Sequence, residues 1–217
     1  MGKQRLSHKR KQTRGEEIAN SISHGIGFLA ALIASPVLIS SALRHGDAAG
    51  ILGASVFLFT MALMYLTSSL YHAVTKSKAK KILQIVDHCS IFLFIAGTYT
   101  PFTLRVLGGT WGWTLFGTVW VIAFLGVTFQ CLGGVRFKKL SILLYLAMGW
   151  IIIVAIKPLY LNIPGWGLFW LVGGGVAYTA GVGFYIQDRI RYTHCIWHLF
   201  VVAGTACHFI AIWKYTL

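Results

Sequence analysis

The sequence predicts an all-α integral membrane protein: a bundle of seven transmembrane helices with the N-terminus inside and the C-terminus outside. Three observations predict it. The 217 residues are 57% hydrophobic and only 11% charged, against about 25% charge in an average soluble domain. Seven apolar runs, each near the roughly 20 residues a helix needs to cross about 30 Å of hydrocarbon, are separated by short polar stretches. The basic residues are spread unevenly over those stretches, which sets an orientation. The 19 Lys and Arg outweigh 5 Asp and Glu, for a net charge of +14. In a soluble chain that balance would point to nucleic acid. With a mean hydropathy of +0.72 it points to membrane topology instead, and no nucleic-acid partner is expected.

Residues 1–16 read as a basic cytoplasmic tail, with no small-residue cleavage site after a short apolar core. Residues 17–217 form the seven-helix domain, with apolar runs at 18–43, 50–73, 83–106, 110–131, 140–157, 166–187 and 193–214. Runs such as IIIVAI and VIAFLGV lack the strict alternation of β-barrel strands. Charge, Gly and Pro mark the ends: Arg44 to Asp47, Lys76 to Lys81, Leu107 to Gly109, Gly133 to Lys139, Pro158 to Pro164, and Asp188 to Arg191. With the N-terminus inside, 15 of the 19 basic residues fall in inner segments, and only Arg44, Arg105, Lys157 and Lys214 fall outside. This is a strong positive-inside bias. Trp111, Trp113, Trp150, Trp166, Trp170 and Trp213 lie toward span ends, where amphipathic rings prefer the interface.

The sixth span carries Gly165, Gly167, Gly173, Gly174, Gly175, Gly181 and Gly183. Small residues let membrane helices approach closely, so the stripe is read as a packing face. Cys89, Cys131, Cys195 and Cys207 lie inside spans without CxxC pairing and are expected as free thiols.

Ionisable groups in hydrocarbon are costly, so their positions are informative. Glu17, Asn20, Ser23 and His24 stand at the start of span one, Ser68 and His72 at the end of span two. Asp87 and His88 stand at the start of span three, His194 and His198 at the start of span seven. On the topology above, all four places lie at one depth on the cytoplasmic side. His194 and His198 are four residues apart, on one helix face, which is the spacing by which a helix supplies two metal ligands. A third histidine, His72, completes a three-histidine zinc (Zn2+) site with a fourth position open for water, the pattern of catalytic zinc. Asp87 is then the group to orient or deprotonate that water, and Ser68 a hydrogen-bond partner of water or substrate. His24 and His88 are either further ligands or partners that hydrogen-bond between helices. Glu17 either joins the site or caps the first helix. His208 lies about 15 Å deeper and on another face, and is left out.

These residues also carry a family resemblance. Glu17-x-x-Asn20-x-x-Ser23-His24, Ser68-Ser69-Leu70-Tyr71-His72, Asp87-His88 followed by Ile95-Ala96-Gly97-Thr98-Tyr99-Thr100-Pro101, and His194-x-x-x-His198 resemble the bacterial hemolysin III family. That family is the bacterial branch of the progestin and adipoQ receptors and is related to alkaline ceramidases. The resemblance runs from Glu17 onward. It implies a multi-pass protein of the bacterial inner (plasma) membrane, with zinc held at His72, His194 and His198 and with Asp87 and Ser68 close by. In adiponectin receptors and alkaline ceramidases such a site is linked to ceramide amide hydrolysis. For the bacterial branch the resemblance suggests a role in membrane-lipid or fluidity homeostasis, while the family name records cytolysis.

Four functions compete. A zinc-dependent hydrolase of a ceramide-like amide or ester needs an open metal position, a base and a lipid-accessible cavity. A lipid or fluidity sensor would use the same ligands with zinc as a staple. A pore-forming toxin needs a soluble state, which seven apolar spans do not provide. A transporter usually places its site near the midplane, whereas the polar cluster here sits at one end. The expected partner is a membrane lipid or a fatty-acid-like ligand.

Overall fold

The structure, a computed structural model, describes residues 10–75, 78–187 and 189–217. Much of the basic tail, with Lys3, Arg5 and Lys9, lies outside the described residues, as do Lys76 and Asp188. The described residues are almost entirely helical, contain no strand, and include seven helices or helix runs long and apolar enough to span a membrane.

The first helix, α1, runs Arg14–His45, three residues into what the sequence assigns to the tail. Thr13 starts it with a capping box: its hydroxyl accepts the Glu16 N–H, while the Glu16 carboxylate accepts the Thr13 N–H. Glu16 is therefore the capping residue, and the alternative of Glu17 as a simple cap is corrected. Asp47 caps α2 (Ala48–Ala73) by accepting the Gly50 N–H at 2.8 Å. That bond holds the Asp47 carboxyl below its ordinary range.

Helix α3 (Lys78–Pro101) continues into a π-turn at Phe102–Leu107. Pro101 has no N–H to return to the preceding turn, and the wider winding follows from that loss. Gly108 and Gly109, at φ +55° and +47°, then end the span in left-handed geometry that favours glycine. Helix α4 (Gly109–Cys131) descends to a single 3-10 turn at Gly134–Arg136.

The fifth span is broken. It consists of α5 (Lys138–Trp150), a 3-10 stretch at Ile151–Ala155, and α6 (Ile156–Asn162). The sequence places the end of this span at Pro158 to Pro164. In the structure the helix passes through Pro158, and the irregularity sits earlier. A break inside hydrocarbon is tolerated only where its freed backbone groups find partners. Tyr99 of α3 supplies them. Its hydroxyl donates toward the carbonyls of Met148 (3.0 Å) and Gly149 (2.7 Å) and accepts the Ile152 N–H at 3.1 Å. An unsatisfied buried group costs about 1–3 kcal/mol, so one phenol offsets most of the penalty of the break. Helices α7 (Gly165–Tyr185) and α8 (Thr193–Tyr215) complete the chain.

In lipid the packing drive between helices is close contact, not water exclusion. Glycine supplies that contact here. Gly97 of α3 lies against Thr60 of α2, and Gly53 of α2 against Pro101, too closely for a Cβ. On α7 the glycine stripe resolves into a seven-residue rhythm. Gly167 meets Tyr215, Gly174 meets His208, and Gly181 meets Trp197 and Phe200, all on α8. Gly165, Gly173 and Gly183 have open space where a Cβ would go, so only part of the stripe is a packing face. One core joins α1, α2, α3 and α8 through Leu38, Phe57, Met61, Phe94 and Ile212. A second joins α3, α4 and α5 through Phe92, Val119, Ala123 and Met148. Outward positions such as Ile22, Ile26, Ile33 and Phe59 are exposed and apolar, as a lipid-facing surface requires. The cysteines are free, with the Cys89 and Cys131 sulfurs 4.0 Å apart.

Candidate metal centre

Four helix ends meet at the pole of the bundle that carries the basic loops. The last turns of α2 bring Ser68 and His72. The first turns of α8 bring His194 and His198. The first turns of α1 bring Glu17, Asn20, Ser23 and His24, and α3 brings Lys80, Asp87 and His88. One ring nitrogen from each of His72, His194 and His198 lies within 4.8 Å of the others. From this spacing modest side-chain rotation closes three nitrogens onto one ion at the usual metal–nitrogen distance of about 2.0–2.1 Å. The rings face one another, with centroids 5.0 Å apart for His72 and His194, 5.2 Å for His72 and His198, and 4.6 Å for His194 and His198.

Helix α1 contributes none of these three rings but fixes two of them. His72 Nδ1 donates to Glu17 Oε2 at 2.8 Å, and Lys80 Nζ donates to the other Glu17 oxygen at 2.9 Å. His198 Nδ1 lies 3.2 Å from the Asn20 carbonyl and 2.9 Å from the Ser23 hydroxyl. Ser23 itself donates to that same carbonyl at 2.8 Å. A carboxylate and a carbonyl can only accept. Both histidines therefore carry their proton on Nδ1, and both leave the Nε2 lone pair free. The Nε2 of His72 is buried without a hydrogen-bond partner, an atom otherwise costly to leave unsatisfied. Outer partners of this kind orient ligand rings and raise their basicity. The residues present thus fit a cation.

Every residue proposed from the sequence lies in this region, but not all at one point. His24 stacks on His198 with ring centroids 3.5 Å apart, and its two nitrogens are buried without partners. His88 turns aside, with Nδ1 donating to the Gln84 carbonyl at 2.7 Å and 3.9 Å from the Asp87 carboxylate. Asp87 is buried on α3, and Ser68 of α2 lies beside its carboxylate. Sequence reasoning passed over Lys80, counted there only as topology charge. It also passed over Tyr185, whose ring centroid lies 5.5 Å from that of His194; a tyrosine in an apolar span carries no distinguishing pattern.

A cavity of about 1390 Å³ begins at this pole and runs deep into the bundle. His24, Ser68, His72, Asp87, His194 and His198 line its head, while Leu159, Leu168 and Leu171 line its far end. His208 lines the cavity as well, donating from Nε2 to the Leu171 carbonyl at 3.0 Å. His208 packs toward α7 at Gly174 whereas His198 reaches α1, so His208 leaves α8 on another face, as the sequence places it. Its exclusion from the histidine cluster stands, since it is not one of the three grouped rings. Ile153 of the fifth span and Val172 of α7 line the cavity and are exposed.

The profile of the family described as Haemolysin-III related matches residues 12–209. The chain is 45% identical to Hemolysin-3 of Bacillus cereus over 202 residues, 93% of this chain and 92% of that one. It is 46% identical to the Hemolysin-3 homolog of Bacillus subtilis (strain 168), over 92% of this chain and 94% of that one. The human Monocyte to macrophage differentiation factor is 31% identical, over 94% and 86% of the two chains.

Proposed function

The chain belongs to the Haemolysin-III related family, and we propose that it is a zinc-dependent membrane hydrolase of a lipid amide or ester, serving membrane-lipid homeostasis. The observation that carries this reading is the pair of tautomers set by α1. Glu17, Asn20 and Ser23 hold protons on Nδ1 of His72 and His198, which leaves their Nε2 lone pairs free beside a third histidine at the head of a lipid-sized cavity. Neutral imidazoles with no thiolate among them suit zinc, and three ligands leave a position open.

When bound, the zinc ion polarises a carbonyl and makes a water acidic. The chain's own groups do the rest. The apolar cavity takes the acyl chain and places the polar linkage at the histidine pole. Asp87 accepts a proton from the attacking water and delivers it to the departing amine or alkoxide. Ser68, beside the Asp87 carboxylate, helps to hold it in place. Glu17 and Lys80 keep the His72 ring turned, and His24 backs the His198 ring.

Purified protein should release free fatty acid from at least one lipid among ceramides, other N-acyl lipids and glycerolipids. Chelation should abolish the release and added zinc should restore it. Zinc-loaded protein that turns over none of them would overturn the hydrolase and favour a lipid sensor stapled by its ion.

We also place the pole with the site on the cytoplasmic side of the plasma membrane. Support comes from the 15 of 19 basic residues that segregate to that side. A reporter fused after Leu217 should be active outside the cytoplasm and one in the loop before α3 inside. The reverse pair of activities would invert the placement.

A further inference from the structure

The most heavily hydrogen-bonded carboxylate among the described residues belongs to a residue outside the histidine cluster. Glu16, with its side chain 3% exposed, stands beside the site without touching a histidine. Arg10 grips it with two nitrogens, at 2.7 Å to Oε2 and 2.5 Å to Oε1. The Thr13 N–H and hydroxyl donate to Oε2 at 2.9 and 3.0 Å. The Tyr192 N–H donates to Oε1 at 2.9 Å. A capping box requires only the Thr13 pair. The Arg10 and Tyr192 bonds exceed what the start of α1 needs.

The surplus goes to α8. That helix begins at Thr193 after Tyr192, which sits at φ +63° and gives α8 no side-chain cap. A bulky residue in left-handed geometry is strained and persists only where its surroundings hold it. The residues that hold it belong to α1 and the segment before it. Glu16 accepts the Tyr192 N–H, Arg10 donates to the Ile190 carbonyl at 3.2 Å, and the Tyr192 hydroxyl rests over Gly15. A carboxylate at the start of α8 also complements its helix dipole. His194 follows two residues later. His198, one turn on, has its own tether to Asn20 and Ser23; His194 has no such tether from α1.

We infer that Glu16 is a positioning residue: clasped by Arg10, it fixes the chain entering α8 and thereby sets where His194 stands. Its effect on metal binding rests on the zinc reading above, but the clasp itself does not. The test therefore reads both. Glu16→Gln and Arg10→Gln should each speed amide hydrogen exchange in peptides covering residues 189–198, and each should raise the zinc Kd by about tenfold in chelator competition. Because both act through one clasp, the double variant should lose no more than the worse single one. Glu17→Gln is the contrast: it should weaken zinc through His72 and leave exchange at 189–198 unchanged. Unchanged exchange in both clasp variants would overturn the inference, and so would faster exchange with undiminished zinc affinity. Should the unaltered protein bind no zinc, the zinc reading fails and faster exchange still establishes the clasp. If Glu16→Gln does not fold, Arg10→Gln, which leaves the capping box intact, decides the matter by the same two readouts.

Discussion

Alanine at His72, His194 or His198 should strip the protein of the proposed zinc. Each of these changes leaves two ligands on an ion that needs at least three protein groups to be held tightly. Loss of a partner that merely orients a ligand already costs 10–100-fold in affinity, so loss of a ligand should exceed about 100-fold. Metal analysis after dialysis against a weak chelator should find about one zinc in the unaltered protein and nearly none in these three variants. His208→Ala provides the comparison. Its ring lines the same cavity but bonds to the Leu171 carbonyl on α7, so zinc should stay at the unaltered level. Equal zinc in all four variants would reject the site outright.

Asp87→Asn separates catalysis from stapling. Asparagine keeps the shape of the side chain and still offers an oxygen to Ser68, so fold and zinc content should be those of the unaltered protein. It has no basicity, however, and cannot take a proton from an attacking water. Removing a general base typically costs 10²–10⁴-fold in rate, and lipid turnover should fall by about that range. If the ion only ties helices together, the exchange of the carboxylate for a neutral amide has no reason to matter. A folded, zinc-loaded Asp87→Asn protein with full turnover would end the catalytic assignment and leave the metal centre standing.

Much of this was legible in the chain because hydrocarbon punishes polarity. Glu17, Ser68, His72, Asp87, His194 and His198 stand out in the sequence since a membrane helix tolerates such groups only for cause. Their shared depth followed from counting spans. Contacts made by the backbone left no such mark. The Asn20 carbonyl that fixes His198 is not encoded by the asparagine side chain. Glu16 and Glu17 are adjacent and chemically alike, and only the direction each takes off the helix gives one to the cap and the other to His72. The break in the fifth span hides in IIIVA, an unremarkable apolar run, because its cause lies in Tyr99 on another helix. That His208, on another face of α8, still lines the cavity was hidden because counting turns along one helix does not reveal how a cavity winds past it.

The order of the ligands along the chain has a consequence for how the protein is made. His72 is synthesised early, and so are the α1 groups that fix its proton, whereas His194 and His198 come on α8, after the other six spans. A chain made only as far as α7 can insert six spans yet present just one of the three grouped imidazoles. Docking of α8 against α1 and α7 is thus the step that brings the three rings together. If the cluster holds zinc as proposed, metal capture waits on that step and seals a bundle already assembled.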